Sequence, residues 1–415
     1  MTPPDASPPP HDDFALAARS TPLARFVHEA IEAAGGRITF ADFMALALGH
    51  PEHGYYSRAG LAWGAQGDYE TSPEVHPIFG YLWARQVAEC WERLDRPARF
   101  DLVEVGGGSG AFSVAMLTWL QARAPECFAA LRPVLLDGHP HRLAAQRAAL
   151  AEAGLHAEHA LFDDWAAAPG GVTGVVISNE FFDALPAHLV TRRGDSPPAW
   201  SEWYVARSAS TPAPSTITLV EGPPSTPAIA AHFARLGLLP GDGARVEVGL
   251  ASLDAMRRIA AKVERGYVLT IDYGYEARDL YASWRREGTL MAFRAHSPVP
   301  DPLSEPSRTD LTYHVDLTSL AAAVVEAGEG WSAAPPTSQA EALTVLGLPD
   351  ALRAAESRAH EDARRWMADR RAAETLTDPT GLGRIRVLAL ARHAPLDGLA
   401  CLRSVAEVYG GTHVE

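Results

Sequence analysis

Apolar residues recur with helical spacing through the first part of the chain and gather into short buried runs further on. Leu23, Phe26, Val27, Ala30 and Ile31 share one face of a helix predicted over Pro22–Ala34, which Gly35-Gly36 stops. A second helix runs from Thr39 to Leu48 and a long amphipathic one over Pro77–Leu94. Between them, His50–Glu74 turns rich in Gly, Tyr, His and acidic residues, which suits a structured functional loop better than a core element.

From Phe100 the pattern changes. Phe100–Val105 reads as a buried strand, Gly106-Gly-Gly-Ser-Gly110 as a turn and Ala111–Arg123 as a helix. The unit repeats: the strand Pro133–Asp137 leads to the helix His141–Ala153, and the strand Val172–Ser178 leads to Asn179-Glu-Phe-Phe-Asp-Ala-Leu-Pro186, read as opening a helical turn. Strands alternating with helices predict an α/β fold with a Rossmann-like parallel sheet covered on both faces. Gly266–Asp272 resumes the strands and Gly383–Leu390 supplies the last. The resulting organisation is a disordered tail (1–20), a helical and lid region (21–95), a first core part (96–191), an insertion with Pro/Ser/Thr-rich stretches (192–260), a second core part (261–395) and a C-terminal tail (396–415).

Composition narrows the classes. At 415 residues and 47% hydrophobic the chain can bury one large core. A formal net charge of −15 gives no cationic footprint for nucleic acid and suits a basic protein or peptide partner. Cys90, Cys127 and Cys401 have no C-x-x-C spacing, and His50, His53, His188, His296 and His314 form no metal spacing, so neither a disulfide framework nor a metal site is expected. Met1–Asp13 is Pro-rich and carries no Lys or Arg, unlike a secretory signal or transit peptide, and no apolar run is long enough for a membrane helix. A cytoplasmic protein is expected, and Lys262 as the sole lysine among many arginines points to GC-rich bacterial coding.

The candidate chemistry centres on the glycine turn. Backbone N–H groups of Gly106, Gly108 and Gly110 at a helix N-terminus can approach a nucleotide-like ligand closely. Gly106, Gly108 and Ala111 also satisfy G-x-G-x-x-A, which leaves a nicotinamide-dependent oxidoreductase as an alternative. Glu104 weighs against it, because a carboxylate there repels a pyrophosphate but favours the cationic ammonium and sulfonium of S-adenosylmethionine. Asp137, closing the next strand, is placed to accept hydrogen bonds from ribose hydroxyls.

Asn179–Pro186, together with His50–Tyr56, Gly67–Glu74, Ile271–Gly274, Gly288–Leu290 and Asp310–Asp316 in order, resembles the MidA family of class I S-adenosylmethionine-dependent methyltransferases. The resemblance implies a seven-strand sheet with an insertion, S-adenosylmethionine as methyl donor and, from the mitochondrial relative, an arginine of a partner protein as acceptor. The chain departs from the family pattern at Gly107 and Ser109, at Asp137-Gly-His-Pro140, and at Glu70 and Arg308. A non-catalytic cofactor-binding assembly factor is the second alternative. The sequence leaves the oligomeric state open, a homodimer included.

Methyl transfer to a guanidinium requires carboxylates that grip the cation and take a proton. Glu180 and Asp183, three residues apart, are the expected clamp. Asn179 is expected to orient the acceptor or the cofactor's methionine end, or else to cap a helix. Asp68 is a candidate for the methionine ammonium, Asp163 or Asp164 with Trp165 for adenine, Phe181 and Phe182 for site wall or core, and Gly54-Tyr-Tyr56 for a lid or substrate wall.

Overall fold

Short-range signals set most element boundaries. The computed structural model describes residues 21–58, 71–194, 198–208, 217–295, 297–326, 328–360 and 362–410. The expected tail at 1–20, together with Asp68, Glu70 and His296, lies outside the described residues. Helix α1 (Pro22–Ala33) starts on proline, whose fixed φ suits a first turn, and buries Leu23, Val27 and Ile31. Helix α2 (Phe40–Gly49) opens with a reciprocal capping box between Thr39 and Asp42. The short α3 (Ser72–Val75) then precedes α4 (Ile78–Arg93).

The core sheet is built from strand, turn and helix units: β1 (Phe100–Val105), α5 (Ala111–Arg123), β2 (Leu131–Asp137), α6 (Pro140–Glu152), β3 (Glu158–Leu161), α7 (Phe162–Ala167) and β4 (Val172–Asn179). Further along come α8 (Leu250–Lys262), β5 (Val263–Asp272), α9 (Leu317–Val325), β6 (Trp331–Ala333), β7 (Thr337–Ser338) and β8 (Arg386–Arg392). The order is β6-β8-β5-β4-β1-β2-β3, with β7 pairing β8 as a short eighth strand. Strands β1 to β5 pair in parallel, and β8 runs antiparallel to β5. Alternate residues serve opposite faces. Leu102, Val175, Ile177 and Leu269 pack with α4 and α5, whereas Val103, Val105, Val176 and Val268 pack with α8 and α9. Both faces are therefore covered, as a parallel sheet requires.

The insertion differs from expectation. It is an antiparallel five-stranded sheet that starts at His188–Arg193, ends at Arg245–Val248 and borrows Arg37–Thr39 from the N-terminal region. Its inner face, with Leu189 and Val205, is covered by α1 and α2, so those helices complete this sheet. Helix α8 belongs instead to the main core through Leu253, Met256 and Ile259. Residues 396–402 are no free tail, since Leu396, Leu399 and Cys401 are buried in the core beside α4.

Candidate active site

Residues at the carboxyl ends of β1, β2, β4 and β5 converge on one cavity of about 710 Å³. Its cofactor-like end is built on the glycine turn. Gly106 and Gly107 donate backbone N–H groups to Leu136 O of β2, at 2.9 and 3.4 Å, which ties the turn to the neighbouring strand. Gly106, Gly108 and Gly110 have φ of 74°, 55° and 89°, the left-handed region that other residues avoid. A Cβ on Gly106 would stand 2.9 Å from the Phe181 ring. Gly106 and Gly108 line the cavity directly, and Gly110 caps α5 behind them.

Glu104 is 3% exposed and accepts a hydrogen bond from Ser113 Oγ on α5. Burial pushes its carboxyl up to about 7, and the nearby Asp137 charge adds to the rise. A cation beside it would restore the ionised form. Asp137 accepts from His139 N and Gln146 Nε2, both at 3.2 Å, so its oxygens are held in place with lone pairs to spare. This set of bare glycine backbone and buried carboxylates fits a cationic sulfonium nucleoside. It suits a pyrophosphate poorly.

The other end is acidic as well. Asn179 is the last residue of β4, and Glu180 follows at φ 49°, donating its N–H to Ile271 O at 2.8 Å. The expected helix at 179–186 is absent, and the chain turns there instead. The reason is the backbone at Glu180, whose positive φ lies outside the right-handed helical region; the Asp272 carboxylate of β5 holds the turn that follows, accepting from the N–H groups of Phe181 and Phe182 at 3.1 and 2.8 Å. Asn179 is accordingly no helix cap. Its Nδ2 donates to Glu180 Oε1 at 3.1 Å, and its Oδ1 is buried without a partner among the described residues.

Glu180 also receives the Ser72 N–H at 3.4 Å, and Asp183 receives Thr312 Oγ1 at 2.9 Å. Burial, reinforced by the Asp183 charge, pushes Glu180 up to about 8. Burial pushes Asp183 up to about 6 and raises Asp272 well above the carboxylate range, with the neighbouring carboxylates adding to the latter. Helix α3 bridges the two ends. Ser109 Oγ in the glycine turn donates to Glu74, while Ser72 contacts Glu180 and donates its hydroxyl to Gln339 at 2.9 Å.

The sequence-predicted residues thus divide. Glu104, Gly106, Gly108, Asp137, Asn179, Glu180 and Asp183 line one cavity. Asp163, Asp164 and Trp165 do not. The Asp163 carboxylate faces solvent and pairs with Arg258 at 2.7 Å, Asp164 is exposed, and Trp165 packs against the core under Lys262. They follow the third strand as expected, but α7 turns the two aspartates outward and Trp165 onto the core, away from the cavity. Phe181 lines the cavity and Phe182 is core; likewise Tyr56 is wall and Tyr55 is core. Asp272, Tyr273, Thr312, His314 and Arg384 received no role from the sequence. The signal for the first four was present in the quoted Ile271–Gly274 and Asp310–Asp316 segments, where polar residues end or adjoin buried strands, whereas Arg384 lies outside both.

Similarity to known proteins falls on the same region. Residues 82–336 match the family described as "Putative S-adenosyl-L-methionine-dependent methyltransferase". The "Protein arginine methyltransferase NDUFAF7 homolog, mitochondrial" of Drosophila melanogaster is 27% identical over 375 residues, 86% of this chain and 82% of that protein. The human protein arginine methyltransferase NDUFAF7 is 26% identical over 332 residues, 72% and 68% of the two chains. A crystal structure from Burkholderia thailandensis bound to S-adenosyl-homocysteine is 29% identical, covers 96% of this chain and 98% of its own, and superposes with a TM-score of 0.81.

Proposed function

Because this chain belongs to the S-adenosyl-L-methionine-dependent methyltransferase family matched by residues 82–336, we propose that it methylates an arginine side chain of a partner protein, with Glu180 and Asp183 as the guanidinium clamp. The observation that carries the reading is the pair of buried carboxylates at the end of β4, open to the cavity that also holds the glycine turn and, among the described residues, without a basic side chain bonded to either. Buried carboxylates without a counter-charge cost free energy that a cationic occupant relieves. The relatives named as protein arginine methyltransferases agree with that charge logic.

When bound, S-adenosylmethionine supplies a methyl group on a sulfonium and leaves as S-adenosylhomocysteine. The chain's residues then have separate duties. Gly106 and Gly108 make room for the cofactor, Glu104 faces its cationic end and Asp137 takes the ribose hydroxyls. Glu180 and Asp183 grip the guanidinium, localise its charge and aim one nitrogen along the sulfur–methyl axis. As the nitrogen–carbon bond forms and the sulfur–carbon bond breaks, the displaced N–H proton passes to Glu180, whose high affinity for protons suits it to that task. Asn179 holds the Glu180 carboxylate through its amide. Asp163, Asp164 and Trp165 have no place in this scheme.

Two outcomes test the assignment. Asp137→Ala weakens S-adenosylmethionine binding by roughly 1 to 3 kcal/mol, the cost of leaving hydroxyl donors unpaired in a desolvated pocket, as titration calorimetry would show. An unchanged affinity removes Asp137 from the cofactor site. The second outcome concerns pH. Glu180 must be ionised to bind the cation, and its folded value is raised to about 8. Acceptor kcat/KM therefore climbs from pH 6 to 9 with a limb near 8, whereas the limb for kcat lies lower because the bound guanidinium favours the ionised carboxylate. Tritiated methyl incorporation across that range checks both limbs; a flat profile excludes Glu180 as clamp and proton acceptor.

A further inference from the structure

The cavity is lined by acidic groups at both ends, and against that background its cations stand out. Arg142 is committed, with Nε donating to Tyr56 O at 3.1 Å and its guanidinium 5.0 Å over the Tyr56 ring. Arg384 is different. It is exposed and lines the cavity, and among the described residues its guanidinium has no hydrogen bond, ion pair or ring contact.

Its place is defined by the sheet. Arg384 closes the short helical turn Leu382–Arg384, immediately before β8, and the start of β8 at Arg386 pairs with Asp272 at the end of β5. The glycine turn follows β1, which lies beyond β5 and β4 in the sheet order. Arg384 therefore stands on the acceptor side of the cavity. Its charge is felt there: it adds to burial in pulling His314 down to about 4, and it acts on Tyr273, which also senses Glu180 and Asp183. The turn that carries it is stiff. Asp378 accepts from Thr380 N at 2.9 Å, and a Cβ on Gly383 would lie 2.5 Å from the Thr377 carbonyl carbon and oxygen.

The acceptor half is thus polarised, with Glu180, Asp183 and Asp310 inside and an uncommitted guanidinium at the rim. We propose that Arg384 selects the acceptor sequence, favouring a target arginine that has an aspartate or glutamate beside it and disfavouring one flanked by lysine or arginine. This rests on the arginine-acceptor reading above. The target's guanidinium enters the carboxylate clamp while its acidic neighbour meets Arg384, and a basic neighbour meets like charge instead.

Calorimetry on the S-adenosylhomocysteine-saturated protein at low salt tests this with three probes: butylguanidine, which has a guanidinium and no other charge, and blocked peptides Gly-Arg-Asp-Gly and Gly-Arg-Lys-Gly. The wild-type protein binds the acidic peptide about fivefold more tightly than the basic one, the scale of a partly exposed ion pair. Arg384→Gln brings the ratio to about one and Arg384→Glu inverts it, while affinity for butylguanidine and for S-adenosylhomocysteine changes by less than that ratio in both. A preference that survives Arg384→Gln overturns the proposal. So does a loss of S-adenosylhomocysteine affinity, which would assign Arg384 to the cofactor's own carboxylate. Failure of the underlying reading looks different: butylguanidine affinity would then be indifferent to Glu180→Gln.

Discussion

Glu180→Gln and Asp183→Asn each lower methyl transfer by roughly two orders of magnitude or more and leave S-adenosylmethionine affinity nearly intact. The amide keeps the shape and loses the charge, and removing one member of a buried charge-assisted pair costs about 2 to 4 kcal/mol. Glu180→Gln also removes the proton acceptor, so it carries the larger loss. Cofactor affinity is spared because both residues follow β4, whereas the glycine turn and Asp137 follow β1 and β2. Tritiated methyl transfer into a lysate of cells lacking this protein, with calorimetry for the cofactor, separates the two effects. Full activity in both variants would sink the clamp. Lost cofactor binding in a folded variant would move the carboxylates into the cofactor site.

Gly108→Val abolishes S-adenosylmethionine binding, a loss of at least two orders of magnitude in affinity. Gly108 has φ 55°, where a β-branched residue is strained by roughly 1 to 3 kcal/mol. It also lines the cavity beside Asp137 and Gly107, and its carbonyl accepts from Gln146 Nε2 at 3.3 Å, so an added side chain takes cofactor space on a turn that is tied down. Circular dichroism confirms that the variant folds and calorimetry reads the affinity. Wild-type binding in a folded variant would remove this turn from the cofactor site.

Such effects follow from features that differ in how local their causes are. The ends of β1, β2 and β4, the glycine turn and helix α5 could be read from residues within a few positions of each other, because burial pattern and backbone freedom are local properties. The same holds for Glu104 and Asp137, which close or nearly close strands whose register is forced by their apolar neighbours. The motif at Asn179–Pro186 pointed to two carboxylates that line the cavity, and their backbone was misjudged. Helical spacing was inferred for a segment that leaves the right-handed region at Glu180, φ 49°, where Ile271 O and the Asp272 carboxylate, about ninety residues away, hold the turn, and no local pattern reveals such partners.

What the sequence by itself determined is a parallel α/β sheet, a cofactor-type turn and two carboxylates placed just after a core strand. Tertiary structure alone decided which polar residues share the cavity. It turned Asp163 and Asp164 to solvent on α7, brought Thr312 to Asp183, joined Ser72 to Glu180 and Ser109 to Glu74, and set Arg384 at the rim without a side-chain partner among the described residues. It also decided that Glu180 and Asp183 share a desolvated site with Asp272. Desolvation and mutual repulsion depend on three-dimensional neighbours, so the raised proton affinity of Glu180 arises only once the fold has buried it beside Asp183 and Asp310.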